Sequence, residues 1–154
     1  MVRLRFETFM SGEYDNKDEA HELYVLKNES RVLYVGISIW NLWDRWFGGI
    51  SSHLVRNYYG EWFGTSDVGR AVIENMPASN DWIMELWTLQ DCIDFLDSRF
   101  EGANHSALTI KYIEPFMIRK LKPSFNVIYA NYEKPDEDSV ASAQQSKLHK
   151  KSVE

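Results

Sequence analysis

Two tyrosines, Tyr24 and Tyr34, with Arg45 and a solitary Glu114, are the side chains of this 154-residue chain best suited to chemistry. An arginine stays protonated and grips a phosphate with two donors. Arg45 is either such a grip or an ordinary surface arginine on a helix. Glu114 stands between Ile113 and, one residue past Pro115, Phe116. An unpaired carboxylate in apolar surroundings is costly and asks for a cation or a metal. The alternative is a salt bridge to Lys111, three residues back. Tyr24 and Tyr34 fall within apolar runs, where each hydroxyl needs a backbone partner or a task. A free phenol titrates near pH 10 and needs help to act as a base. Phosphodiester hydrolysis requires a water nucleophile, a proton acceptor, charge stabilisation and help for the leaving oxygen, and this set would meet those needs. His21, His105 and His149 show no metal-ligand spacing, Cys92 has no base beside it, and Gly48-Gly49 is too little for a phosphate loop.

The tyrosines must be placed by the stretch Glu22 to Ser38. Leu23 to Leu26 and Val32 to Val35 are two apolar runs, joined by the polar turn Lys27 to Arg31. Runs this unbroken predict strands covered on both faces. Gly36 ends the second strand, where backbone would bend or approach a ligand. Upstream, Arg3 to Phe9 alternates charged and apolar side chains, the period of an edge strand, and Ser11 to His21 reads as a polar linker. Asn41 predicts the N-cap of a helix over Leu42 to Phe47, broken at Gly48-Gly49. Ile50 to Tyr59 reads as a second helical segment, with turns at Gly60 and Gly64. Ser66 or Thr65 would cap a helix from Asp67 to Asn75. Alternation over Asp81 to Leu89 predicts a third strand, and Asp91 to Phe100 a helix. His105 to Leu121 has the periodicity of a helix with one wide buried face, in which Pro115 marks either a kink or a restart at Glu114. The expected fold is α+β: a small three-stranded, largely antiparallel sheet flanked by helices, with an added N-terminal edge strand. Its parts would be an arm (1–21), a domain (22–130) and a tail (131–154), the tail being too polar to fold by itself.

A net charge of −6 and a pI near 5.2 argue at face value against a nucleic-acid binder. The acids crowd the arm (Glu13, Asp15, Asp18, Glu19, Glu22) and the start of the tail (Glu133, Asp136, Glu137, Asp138). Arg31, Arg45, Arg56 and Arg70 lie between them, followed by Lys111, Arg119, Lys120 and Lys122, so a local basic face is compatible with an acidic total. The single Cys92 excludes an internal disulfide and a cysteine-based zinc site. With no membrane-length apolar run and no signal-peptide core at the N-terminus, a cytoplasmic location and no membrane partner are expected.

The ordered set Leu23-Tyr24, Tyr34-Val35-Gly36, Asn41-Leu42, Arg45, Glu114, Pro123 and Asn126 resembles the GIY-YIG nuclease superfamily, over roughly Leu23 to Val127. The resemblance implies a metal-dependent endonuclease that hydrolyses DNA phosphodiester bonds at a single Mg²⁺ (or Mn²⁺) site. By the same resemblance, Tyr24 would deprotonate the attacking water and Tyr34 and Gly36 would position the phosphate. Arg45 would bind and stabilise it, Glu114 would hold the metal, and Asn126 would fasten the site by hydrogen bonds. Relatives carry a histidine or tyrosine one helical turn after the arginine to assist the base. Here that position is Gly49, so the role would pass to His53, a further turn on, or to Tyr58 or Tyr59. The first motif reads Glu22-Leu23-Tyr24, without the family's glycine and isoleucine.

Two other functions compete with the nuclease. One is a catalytically silent nucleic-acid-binding module on the same fold, to which an intact Tyr24, Arg45 and Glu114 are ill matched. The other is a protein-interaction domain, using the acidic arm or the C-terminal tail to hold a protein partner. Trp40, Trp43, Trp46, Tyr58, Tyr59 and Trp62 either contact nucleotides or pack. No recognisable DNA-binding appendage is present, which leaves specificity to the insertion between Gly48 and Asn80, to the arm, or to a partner.

Overall fold

A computed structural model of the chain describes residues 1–14, 20–39, 41–48, 52–99 and 108–126. The expected tail, Trp40 and Gly49 lie outside these residues. Four strands form the main sheet: β1 (Val2–Arg5), β2 (Leu23–Lys27), β3 (Val32–Ile37) and, after a hairpin described below, β6 (Ile83–Trp87). All neighbours are antiparallel, in the order β1-β6-β2-β3. The fold is therefore α+β, with the three expected strands and the N-terminal edge strand making a sheet of four.

The sheet is covered on both sides, as the unbroken apolar runs of β2 and β3 require. Tyr24 and Leu26 of β2 and Met84 and Leu86 of β6 face one core. It is completed by α1 (Phe6–Ser11), α2 (Leu42–Phe47) and α3 (Asp67–Glu74) through Phe6, Phe9, Leu42, Trp46, Val68 and Val72. Leu23, Val25, Val35 and Trp87 face the other, against α4 (Leu89–Asp97) and α5 (Ile110–Leu121) through Leu96, Ile113, Met117 and Ile118. Between Leu26 and Lys27 the ladder slips by one residue, and the extra residue of β3 is Leu33. This bulge lets both Leu33 and Tyr34 pack on the Tyr24 side.

Four expectations are corrected. The alternation from Arg3 to Phe9 is a strand only to Arg5, where Arg5 bonds Asp81 and Phe6 N–H donates to Trp82 C=O at 2.6 Å. From there Phe6 and Phe9, three apart, put both rings on one face of α1. Within Ile50 to Tyr59, the described residues hold a strand rather than a helix. β4 (Leu54–Arg56) pairs with β5 (Trp62–Gly64). The cause is turn chemistry: Asn57 Oδ1 accepts the N–H groups of Tyr59 and Glu61, and Gly60 takes φ +84°. α5 starts at Ile110, after its N-cap Thr109, later than expected, and holds Pro115 within it without a restart at Glu114, the lost bond falling toward the exposed Lys111. Finally, α4 starts earlier than Asp91, because Thr88 and Asp91 form a capping box. Ser66 and Asn41 cap α3 and α2 as expected.

Candidate active site

The hairpin of β2 and β3 presents Tyr24 and Tyr34 on the same face, their rings stacked at 5.9 Å. Tyr24 lies opposite Gly36 in the ladder. A Cβ on Gly36 would stand 2.5 Å from the Tyr24 phenol carbon and oxygen, and 2.7 Å from Tyr34 Cε1, so only glycine leaves room for both rings. Trp46 of α2 is fully buried behind them, edge-on to Tyr24 at 5.8 Å. Asn41 sets the start of α2 with its side-chain oxygen on the N–H groups of Trp43 and Asp44. That places Arg45 one residue before Trp46, with its guanidinium hydrogen-bonded to the Tyr24 hydroxyl.

His53 enters from the far side of the β4–β5 hairpin. Its Nε2 makes a short hydrogen bond with the Tyr24 hydroxyl, and its Nδ1 lies 2.8 Å from Ser66 Oγ. The ring sits between Tyr34 (centroids 5.3 Å apart) and Trp46 (4.7 Å), with only 2% of the residue exposed. Its backbone is held as firmly. Its C=O accepts from Thr65 N–H at 2.8 Å and lies so close to Gly69 that a Cβ there would overlap it.

Burial dominates the electrostatics. It drives His53 down to about 3, with the Arg45 charge acting in the same direction, so the imidazole is neutral at neutral pH. Burial also raises Tyr24 well above the usual phenol value. Tyr34 and Glu114 add to that rise, and Arg45 opposes it by charge and hydrogen bond. Tyr34 is raised by burial and by Glu114, against the Arg45 charge and a hydrogen bond with Tyr24. Glu114 is itself raised by burial and pulled back by Arg45. Tyr24, Tyr34, Arg45 and Glu114 therefore form one electrostatic group.

Glu114 lies one residue beyond the buried Ile113, turned off the apolar stripe of α5 and half-buried. The charge facing it is Arg45, while Lys111 is exposed. Among the described residues there is no group of three or more His, Cys, Asp or Glu that would hold a metal. A magnesium ion does not need one, since one carboxylate with waters and substrate oxygens is a usual shell. A desolvated carboxylate beside two phenols fits that demand, so Glu114 is the residue that would hold a divalent cation.

Asn126 takes no part in the polar cluster. Its Oδ1 accepts from Val35 N–H at 2.8 Å and its Nδ2 donates to Val35 C=O at 2.6 Å, which ties the chain after α5 to the free edge of β3, one residue before Gly36. Tyr58 and Tyr59 stand 98% and 86% exposed at the hairpin tip, away from Tyr24, and do not take the histidine's place. Trp46 packs and is not available to a nucleotide. Arg70 is engaged with Asp67 on the surface.

Sequence reasoning read Ser66 as a helix cap alone and passed over Gly69. The signal present was the Ser-x-x-Gly spacing at the start of α3, which brings a hydroxyl and a bare backbone to the same helix end. No protein-family model, curated protein or solved structure matches the chain. No helix among the described residues is long and apolar enough to cross a membrane.

Proposed function

We propose that this chain is a metal-dependent endonuclease that hydrolyses DNA phosphodiester bonds, related to the GIY-YIG superfamily. The observation that carries this reading is the Tyr24 hydroxyl held between the neutral Nε2 of His53 and the Arg45 guanidinium. A phenol with a raised pKa is inert as a base unless its proton has a place to go. His53 offers that place. The O–H bond of Tyr24 breaks, an N–H forms at Nε2, and the phenolate left behind faces Arg45. The phenolate then takes a proton from a water, whose oxygen attacks phosphorus as the bond to the leaving oxygen breaks. The low basicity of a buried imidazole keeps the proton on Tyr24 in the resting protein. Arg45 favours the phenolate and disfavours the imidazolium, so the transfer to Nε2 is completed only as the phenolate takes the proton of the water. Arg45 also suits the added negative charge on the phosphoryl oxygens as the attack proceeds. Glu114 would hold one Mg²⁺ or Mn²⁺, which when bound stabilises charge on the phosphoryl and leaving oxygens.

The test is nicking of supercoiled plasmid and of branched DNA with Mg²⁺, the natural chain beside Glu114→Ala and Arg45→Ala. Metal-dependent cleavage lost in both variants supports the nuclease. Salt-sensitive binding without cleavage by the natural chain would assign a silent nucleic-acid-binding module instead. Neither cleavage nor binding would leave a protein-interaction domain, reached through the acidic arm or the tail.

A further inference from the structure

Behind His53 stands a residue that the reaction above does not name. Ser66 Oγ lies 2.8 Å from His53 Nδ1 and also accepts the Gly69 N–H at 3.2 Å, as the N-cap of α3. The hydroxyl thus joins the rigid start of an eight-residue helix to the imidazole that bonds Tyr24. We propose that Ser66 is a positioning residue: its Oγ accepts the Nδ1 proton of His53, fixing the imidazole in the tautomer whose Nε2 lone pair faces the Tyr24 hydroxyl. This rests on the nuclease reading for its consequence, though not for its measurement.

A neutral imidazole carries one N–H, and the hydrogen bond at one nitrogen decides the state of the other. Arg45 can only donate, so the Tyr24 oxygen already accepts one bond and its own proton seeks an acceptor. Nε2 supplies that acceptor only if the ring proton sits on Nδ1. Ser66 is placed to receive it, since its Oγ keeps a second lone pair beyond the one that accepts the Gly69 N–H. The opposite tautomer would put the Nε2 proton against the Tyr24 oxygen, turn the Tyr24 O–H toward Tyr34, and leave His53 unable to take the Tyr24 proton. The groups that face His53 are Tyr24 from β2, Tyr34 from β3, Arg45 from α2 and Ser66 at α3. None of these is a carboxylate.

A cap alone would give Ser66 its place, so the test separates the two roles. Glycine is a tolerable N-cap and aspartate a good one, whereas only serine and aspartate offer oxygen to Nδ1. Nitrogen-15 NMR of the imidazole, on the full chain without DNA, reports both tautomer and titration. The natural protein is expected to show Nδ1 protonated and Nε2 bare. Ser66→Gly should lose that preference while α3 persists. Ser66→Asp should keep it and move the His53 titration upward, because a carboxylate would then face the ring. In cleavage assays Ser66→Gly should lower kcat by ~10-fold or more with KM unchanged, and Ser66→Asp should recover most of it. A natural protein with the proton on Nε2, or a Ser66→Gly variant with an unaltered tautomer and titration, would overturn the inference. The spectrum of the natural chain decides the point even if a variant fails to fold. A chain that cleaves no DNA yet shows the Nδ1 tautomer and its loss in Ser66→Gly would overturn the nuclease reading and uphold the role of Ser66.

Discussion

Gly36 lies directly across the β2–β3 ladder from Tyr24, and a Cβ there would stand 2.5 Å from the phenolic oxygen. The space above Gly36 is thus occupied by the hydroxyl that the proposed reaction uses. Gly36→Ala should push the Tyr24 and Tyr34 rings apart. Overpacking of this kind costs about 1–3 kcal/mol. Displacing a reacting group by about 1 Å costs ~10²-fold in rate. Thermal melting and single-turnover cleavage on the same preparation should show a modest loss of stability beside a much larger loss of rate. A loss of stability with the rate retained would show that the ring position does not matter.

Asn126 and Val35 make the second test. Asn126→Ala removes a donor and an acceptor from a backbone pair that the asparagine buries at the edge of β3. Unsatisfied buried groups cost ~1–3 kcal/mol each. Urea unfolding should show a shifted midpoint with little change in slope, and cleavage should fall through loosening of Gly36 rather than through lost metal.

Acid should weaken the fold through His53. Its folded value is about 3 against 6.5 for the free group, so between these limits the unfolded chain binds a proton that the folded chain refuses. Stability then falls as pH drops below ~6.5, at a slope approaching ~1.4 kcal/mol per unit. Glu114, whose value is raised by burial, acts in the opposite sense in acid, since there the folded form binds the proton first. The difference between the natural chain and His53→Gln isolates the histidine. Denaturant midpoints from pH ~4 to ~7 should slope more steeply for the natural chain. Parallel slopes would mean that His53 is not held neutral.

Cys92 provides a neutral reporter of global opening. It is fully buried against the α4–α5 core, and burial drives its thiol up to about 12. A thiol of that kind is inert to alkylation while folded. Labelling at pH ~8 should therefore follow unfolding and vanish in native buffer. Fast labelling of the native chain would contradict this packing.

The hairpin, the third strand and the caps of α2 and α3 were legible because their causes are local: alternation, turn residues, and Asn or Ser before an apolar run. The helix at Phe6–Ser11 was hidden because Arg3-Leu4 and Arg5-Phe6 alternate as a strand does up to its first residue, although Phe6 and Phe9, three apart, fit a helix face and not a strand face. The β4–β5 hairpin was hidden because its turn depends on Asn57 bonding two N–H groups, which composition does not reveal. The site divides in the same way. Tyr24, Tyr34, Gly36 and Arg45 share one hairpin and the helix after it, so spacing relates them. His53 reaches Tyr24 only because β4 and β5 fold back and Gly69 lets α3 approach its carbonyl. That is a tertiary fact, and helical spacing from Arg45 pointed to Gly49 instead. Ser66 is invisible for the same reason.

The most direct measurement of the central claim is single-turnover cleavage of DNA with Mg²⁺ by Tyr24→Phe, which removes one oxygen and keeps the ring. The expected result is a rate lower by ~10²–10⁴-fold, the usual worth of a positioned acid or base, with DNA affinity close to that of the natural chain and a modest fall in melting temperature from the buried bond lost to His53. Cleavage by Tyr24→Phe at the natural rate would contradict the account, because the Tyr24 hydroxyl between His53 and Arg45 would then have no part in the reaction.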